Sequence, residues 1–208
     1  RDTRLATLPT LRIELGAEWR SNGSNASVTV ADSNSLDLTT GMTIEAWVNP
    51  NTGGGFRTLI VKERPGDLVY GLYSNSDTNR PQSQVTVGGT PRLLNGTATV
   101  ATGSWTHLAA TYDGTAQRLY VNGTQVSTLA IAGTILTSNS PLKIGGNSIW
   151  PEWFTGLIDE VRVYNRALSS AEIQADMTTS ISVPDATPPS APGTLIATGG
   201  LGQVSLSW

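Results

Sequence analysis

The segment Phe154–Ser169, FTGLIDEVRVYNRALS, constrains this chain more than any other. Leu157, Val161 and Val163 alternate with Ile158, Glu160, Arg162 and Tyr164, a period of two that belongs to a strand with two unequal faces. Ser169 stands three residues before Glu172, which is the spacing of a capping box. A strand is therefore expected to pass through a short turn into a helix of about two turns.

Upstream, short alternating runs recur between turn residues: SVTV, MTIEAWV, RTLIVKE, LVYGLY, SQVTVG, THLAATY, QRLYVN, VSTLAI and PLKIGG. With almost no helical periodicity, this spacing predicts an all-β antiparallel sandwich with one short C-terminal helix. Asp113-Gly114 and Asn122-Gly123 supply residues that accept positive φ, so TYDGTAQRLYVNGTQV reads as two consecutive hairpins. At 208 residues the chain has room for one such sandwich and not two.

Four motifs carry a family resemblance: GMTIEAWVNP (41–50), GSWTHLAATYDG (103–114), QRLYVNGTQV (117–126) and the 154–169 segment. In this order, over roughly residues 20 to 178, they resemble the laminin-G-like, concanavalin A-like jelly-roll domain of bacterial secreted or surface proteins. The resemblance implies a jelly-roll β-sandwich at 19–180 in an extracellular or cell-surface protein. That fold hosts lectins, adhesion modules, carbohydrate-binding appendages and glycoside hydrolases alike.

Several functions are disfavoured by the residues present. A net charge of −3 with 14% charged residues offers no basic patch for nucleic acid or an anionic membrane. No apolar run reaches spanning length, so no membrane insertion is expected. The absence of cysteine removes disulfides, thiolate nucleophiles and thiolate metal sites. No catalytic residue is expected. The laminarinase-type relatives place their acids on one strand as Glu-x-Asp-x-x-Glu, and that pattern is missing here. The single histidine, His107, lies in a strand motif with no nucleophile elbow and is read as a packed or half-exposed strand residue.

Calcium takes six to eight oxygens, which a sandwich supplies where a strand end meets a loop rich in Asp and Gly. The resemblance implies one structural calcium. Asp159 stands where the aspartate of an Asp-x-Val-Arg-Val-Tyr strand ligates it in laminarinase-type relatives. Partner oxygens are expected from Asn22 to Asn25 and from the loop 32–41, with Asp37 the best side chain there. The family's aspartate before the first-strand glycine is replaced here by Asn22, a ligand with less charge.

Sugar contact is expected from aromatics. Trp150 and Trp153 flank Pro151 and Glu152 in the loop GGNSIWPEWFTG, and an indole covers the apolar face of a pyranose while Glu152 bonds its hydroxyls. Trp47 and Trp105 are read as core. Tyr70, Tyr73, Asn75, Asp77, Asn79 and Arg80 form a second polar and aromatic region around a loop, from which Tyr73 is taken as a further ligand contact.

Residues 1–18 read as a linker or an extra edge strand, 181–193 as a proline-rich linker, and 194–208 as resembling the start of a fibronectin type III domain. Three roles follow from these readings. The first is a non-catalytic carbohydrate-binding or adhesion module stabilised by calcium. The second is an assembly unit of a surface fibre that joins neighbouring subunits through edge strands. The third is the targeting appendage of a larger glycoside hydrolase.

Overall fold

The computed structural model describes residues 10–13, 19–181, 196–200 and 203–207. The expected 181–193 linker, apart from Ile181, lies outside them, as do residues 1–9 and 14–18. In chain order the elements are β1 (Thr10–Ile13), β2 (Trp19–Asn22), β3 (Val28–Val30), β4 (Met42–Pro50), β5 (Arg57–Arg64), β6 (Asp67–Asn75) and β7 (Gln82–Val87). They continue as β8 (Thr90–Asn95), β9 (Thr106–Tyr112), β10 (Ala116–Val121), β11 (Thr124–Ala130), β12 (Leu142–Ile144), β13 (Thr155–Tyr164), α1 (Ser170–Thr178), β14 (Ile196–Gly200) and β15 (Gln203–Ser207).

Two sheets form the sandwich. The larger runs β11-β10-β9-β4-β13-β1-β15-β14, with β2 also on β13, and the smaller runs β3-β12-β5-β6-β7-β8. Pairing is antiparallel except between β1 and β15. β4 covers one side of β13 along most of its length, while β2 and β1 share the other side, at Thr155–Ile158 and at Arg162–Tyr164. Asn122 (φ 48°) and Gly123 (φ 71°) close β10 onto β11 as a two-residue turn with both φ positive, so the expected meander is present.

Alternation fills the space between the sheets. Ile44, Ala46 and Val48 of β4 and Leu108, Ala110 and Tyr112 of β9 meet Leu59, Ile60, Leu72 and Val85 of the smaller sheet in one buried cluster. Truncating one such aliphatic residue to alanine costs about 2–5 kcal/mol.

β13 departs from simple alternation. Its register with β4 shifts between Asp159 and Arg162, and Glu160 adopts φ +54°. This is a β-bulge: one extra residue rotates everything after it by one face. Ile158 therefore joins Val161 and Val163 in the core while Leu157 is only half-buried, which corrects the face assignment drawn from the sequence.

The bulge also sends Arg162 and Tyr164 to the outer face of the larger sheet, where α1 packs. Ala109, Tyr120, Tyr164, Leu168 and Ile173 form a second buried cluster beneath the helix. Ser169 and Glu172 make both bonds of the capping box. Arg162 Nη2 donates to Glu160 Oε2 (2.7 Å) and to the Thr179 carbonyl, and Tyr164 donates to Asp176 Oδ2 (2.5 Å), so β13 clasps the end of α1.

Three sequence expectations change here. Trp47 lies on this outer face, edge-on to the fully buried ring of His107 (5.4 Å, 67°), and is not core. Trp105 precedes β9 and is 37% exposed, because its place in the motif falls just outside the strand. Tyr70, Tyr73 and Asn75 sit in β6 and not in a loop, with Tyr70 in the core donating to the Leu36 carbonyl (3.0 Å).

Candidate functional site

The loop 145–154 leaves β12, crosses the open face of β5 and β6, and returns into β13. It closes on itself, Phe154 N donating to the Gly145 carbonyl (3.0 Å). Its first two glycines are required by contact. A Cβ at Gly145, whose φ is +78°, would lie 2.2 Å from the Trp19 ring, and one at Gly146 would lie 2.2 Å from the Trp153 ring.

Asn147 organises the turn from a buried position. Its Oδ1 accepts from Ile149 N (3.0 Å) and Trp150 N (2.6 Å), and its Nδ2 donates to Thr58 Oγ1 (3.0 Å) and Glu152 Oε2 (2.9 Å). Strand β5 fastens the loop at three further points. Glu63 Oε1 accepts from Ser148 N (2.5 Å), Thr58 N donates to the Glu152 carbonyl (3.2 Å), and Arg57 donates to the Trp153 carbonyl (3.1 Å). Ile149 and Phe56 pack on a small apolar cluster of Val61, Leu68 and Tyr73 on this face.

The expected ligand residues converge here. Tyr73 donates to Glu152 Oε2 (3.3 Å) and packs edge-on against Phe56 (5.5 Å). Burial is the main force raising the Glu152 carboxyl pKa, against the hydrogen bonds from Asn147 and Tyr73. Burial, reinforced by the neighbouring Glu152 charge, also raises the Tyr73 hydroxyl well above its ordinary range, so it stays a donor. Trp150 is 36% exposed at the loop tip, whereas Trp153 is half-buried against Gly146. The residues the sequence reading missed are Asn147, Thr58 and Glu63. The Gly-Gly-Asn that follows β12 is the one local signal for the first of them.

The expected calcium ligands fall in separate places. Asn22 pairs with Thr155 and its Oδ1 accepts from Ser24 N (3.0 Å), while Asn25 occupies the following turn at φ 52°. Asp159 lies four residues further along β13, about 13 Å from that pairing, and accepts from Glu160 N (2.8 Å). Asp37 follows the 3-10 turn Asn34–Leu36 near Tyr70. Its Oδ1 is buried without a hydrogen-bond partner among the described residues, and Asp32, the other carboxylate whose charge acts on Tyr70, holds the Lys62 ammonium. Among the described residues no three His, Asp or Glu side chains gather to hold a metal ion. Asn22 and Asp159 are therefore too far apart along β13 to share one ion.

Two facing sheets with a loop that crosses one of them define a jelly-roll sandwich class of domain. Residues 22–174 match the laminin G model described as the concanavalin A-like lectin/glucanases superfamily, and the chain belongs to that family. Mouse pappalysin-1 is 40% identical over 81 residues, which is 37% of this chain and 5% of that protein; the chain spans only a small part of its length. The Ruminococcus gnavus IT-sialidase CBM40 bound to α2,3-sialyllactose has a similar fold, with TM-score 0.66 and 17% identity over 81% of this chain and 98% of that one. Domain 4 of AbnA, a GH43 extracellular arabinanase from Geobacillus stearothermophilus in complex with arabinotriose, gives TM-score 0.57 and 24% identity over 82% of this chain and 81% of that one. No helix among the described residues is long and apolar enough to cross a membrane.

Proposed function

We propose that this chain is a non-catalytic carbohydrate-binding module of a secreted or cell-surface protein, and that it holds a glycan at the loop 145–154. The carrying observation is the exposed Trp150 at the tip of a loop whose Glu152 keeps Oε1 without a partner among the described residues. The indole covers a sugar ring and the carboxylate takes its hydroxyl protons. Asn147 and Tyr73 hold Glu152 in place, which limits the entropy lost on binding. The likeness to the sugar-bound domains above supports the reading, and both belong to larger glycan-cleaving enzymes by name, which fits a targeting appendage. The test is binding to a panel of immobilised glycans. Retention weakened at least tenfold by Trp150→Ala and by Glu152→Gln, with unchanged melting, is the expected result; no retention on any glycan refutes it.

The second reading, an assembly unit that joins neighbours by strand addition, is favoured by one observation. β11 closes one edge of the larger sheet without a charge or a proline, whereas β8, at the edge of the smaller sheet, carries Pro91. A purely monomeric chain at all concentrations in sedimentation equilibrium overturns it.

A further inference from the structure

We infer that Asn22 is a site of spontaneous covalent modification: in the folded chain its side-chain amide is displaced by the backbone nitrogen of Gly23, leaving an aspartyl or isoaspartyl residue at the end of β2. Three Asn-Gly steps occur in the sequence, at 22–23, 95–96 and 122–123. Glycine carries no Cβ to shield its nitrogen, so each step is open to cyclisation in an unfolded chain. The fold separates them. Gly96 is buried, its N donates to the Pro81 carbonyl (2.7 Å), and Asn95 Oδ1 accepts from Gln82 Nε2 (2.8 Å). Gly123 is buried against α1, where a Cβ would lie 2.7 Å from Gln174 Cγ. Asn122 is fixed there twice, its backbone N donating to the His107 carbonyl (2.8 Å) and its Oδ1 accepting from His107 N (2.8 Å).

Asn22 differs in its nucleophile. The residue is exposed at the last pair of β2, and Gly23 N makes only a long contact to Ser21 Oγ (3.5 Å) among the described residues. Ser24 N and Ser24 Oγ both donate to Asn22 Oδ1 (3.0 and 3.4 Å), so the amide carbonyl is polarised and charge developing on that oxygen meets two donors. In the step itself Gly23 N bonds to Asn22 Cγ, the Cγ–Nδ2 bond breaks, and ammonia leaves with the proton that Gly23 N gives up. Solvent water then adds to either carbonyl of the cyclic imide. One opening leaves aspartate at 22; the other routes the chain through the side chain and lengthens the backbone by a methylene. Both put a negative charge at the residue paired with Thr155.

The experiment is peptide mapping by mass spectrometry of the full chain held in mildly alkaline buffer, once folded and once in urea. In the folded chain Asn22 should convert at least about tenfold faster than Asn95 or Asn122, because those two must first break a hydrogen bond and open locally. In urea all three should convert at similar rates. Asn95 or Asn122 converting as fast as Asn22 in the folded chain overturns the inference, as does an Asn22 that stays intact there. The same order of rates in urea as in the folded chain overturns it too, since sequence and not the fold would then set that order.

Discussion

Replacing Glu45 with glutamine should flatten the alkaline limb of the stability profile. Glu45 lies on β4 beneath α1, fully buried, with Oε2 3.8 Å from His107 Nε2 and Oε1 3.7 Å from Arg162 Nη1. Burial, then the charge of Asp176, pushes its carboxyl from an ordinary 4.5 up to about 9, with Arg162 opposing. Burial and the adjacent Arg162 hold His107 down from 6.5 to about 4. The folded chain thus keeps a proton on Glu45 that the unfolded chain releases above about 4.5, so this contribution is complete at low pH and is lost as pH rises toward 9. His107 acts in the opposite sense: the unfolded chain binds a proton that the folded chain refuses between pH 6.5 and 4, so stability falls with acidification in that window. The two slopes offset one another below pH 6.5. Above it, Glu45 acts alone and removes up to about 1.4 kcal/mol per pH unit, or about 3 kcal/mol between pH 6.5 and 9. With one histidine and no cysteine in the chain, little else titrates there. Urea unfolding at pH 6.5, 7.5, 8.5 and 9 measures the slope. A Glu45→Gln profile that falls as steeply as the wild type would refute the reasoning.

Gly146→Val forces a side chain into the space of the Trp153 ring; it should cost about 1–3 kcal/mol and alter near-ultraviolet circular dichroism, with an unchanged spectrum counting against the contact. Asp32→Ala leaves the Lys62 ammonium buried without its carboxylate and should lower stability by about 3 kcal/mol in urea, whereas Lys62→Met in the same assay should be close to neutral. Ser169→Ala removes the cap of α1 and should cost about 1 kcal/mol, seen as a lower denaturation midpoint. Because Asn22 and Asp159 are too far apart along β13 to share one ion, melting in millimolar calcium and in chelator should coincide; a chelator-induced drop of several degrees would return a structural calcium to the molecule.

The elements that were legible in sequence are those set by local chemistry. The Ser169–Glu172 box needs only its own turn, and Asn122-Gly123 needs only residues that tolerate positive φ. Glu152 and the tryptophans of 145–154 were visible as a loop of apolar and acceptor groups, but the partner that fixes them was not. Thr58 and Glu63 are far from that loop in sequence and meet it only because β12 pairs with β5. Trp105 misled because strand membership, not residue type, decides burial, and β9 begins one residue later.

The sequence by itself determined the fold class, since period-two alternation and turn residues are properties of neighbours along the chain and leave few ways to bury the apolar faces. It also excluded disulfide and thiolate chemistry outright, because those depend on composition alone. Tertiary structure decided the rest. The bulge at Glu160 turned Arg162 and Tyr164 toward α1, because one additional residue in a paired strand reverses every face that follows it. The same long-range pairing chose which polar atoms near Glu152 are engaged, and hydrogen-bond capacity can be counted only after the strands have met.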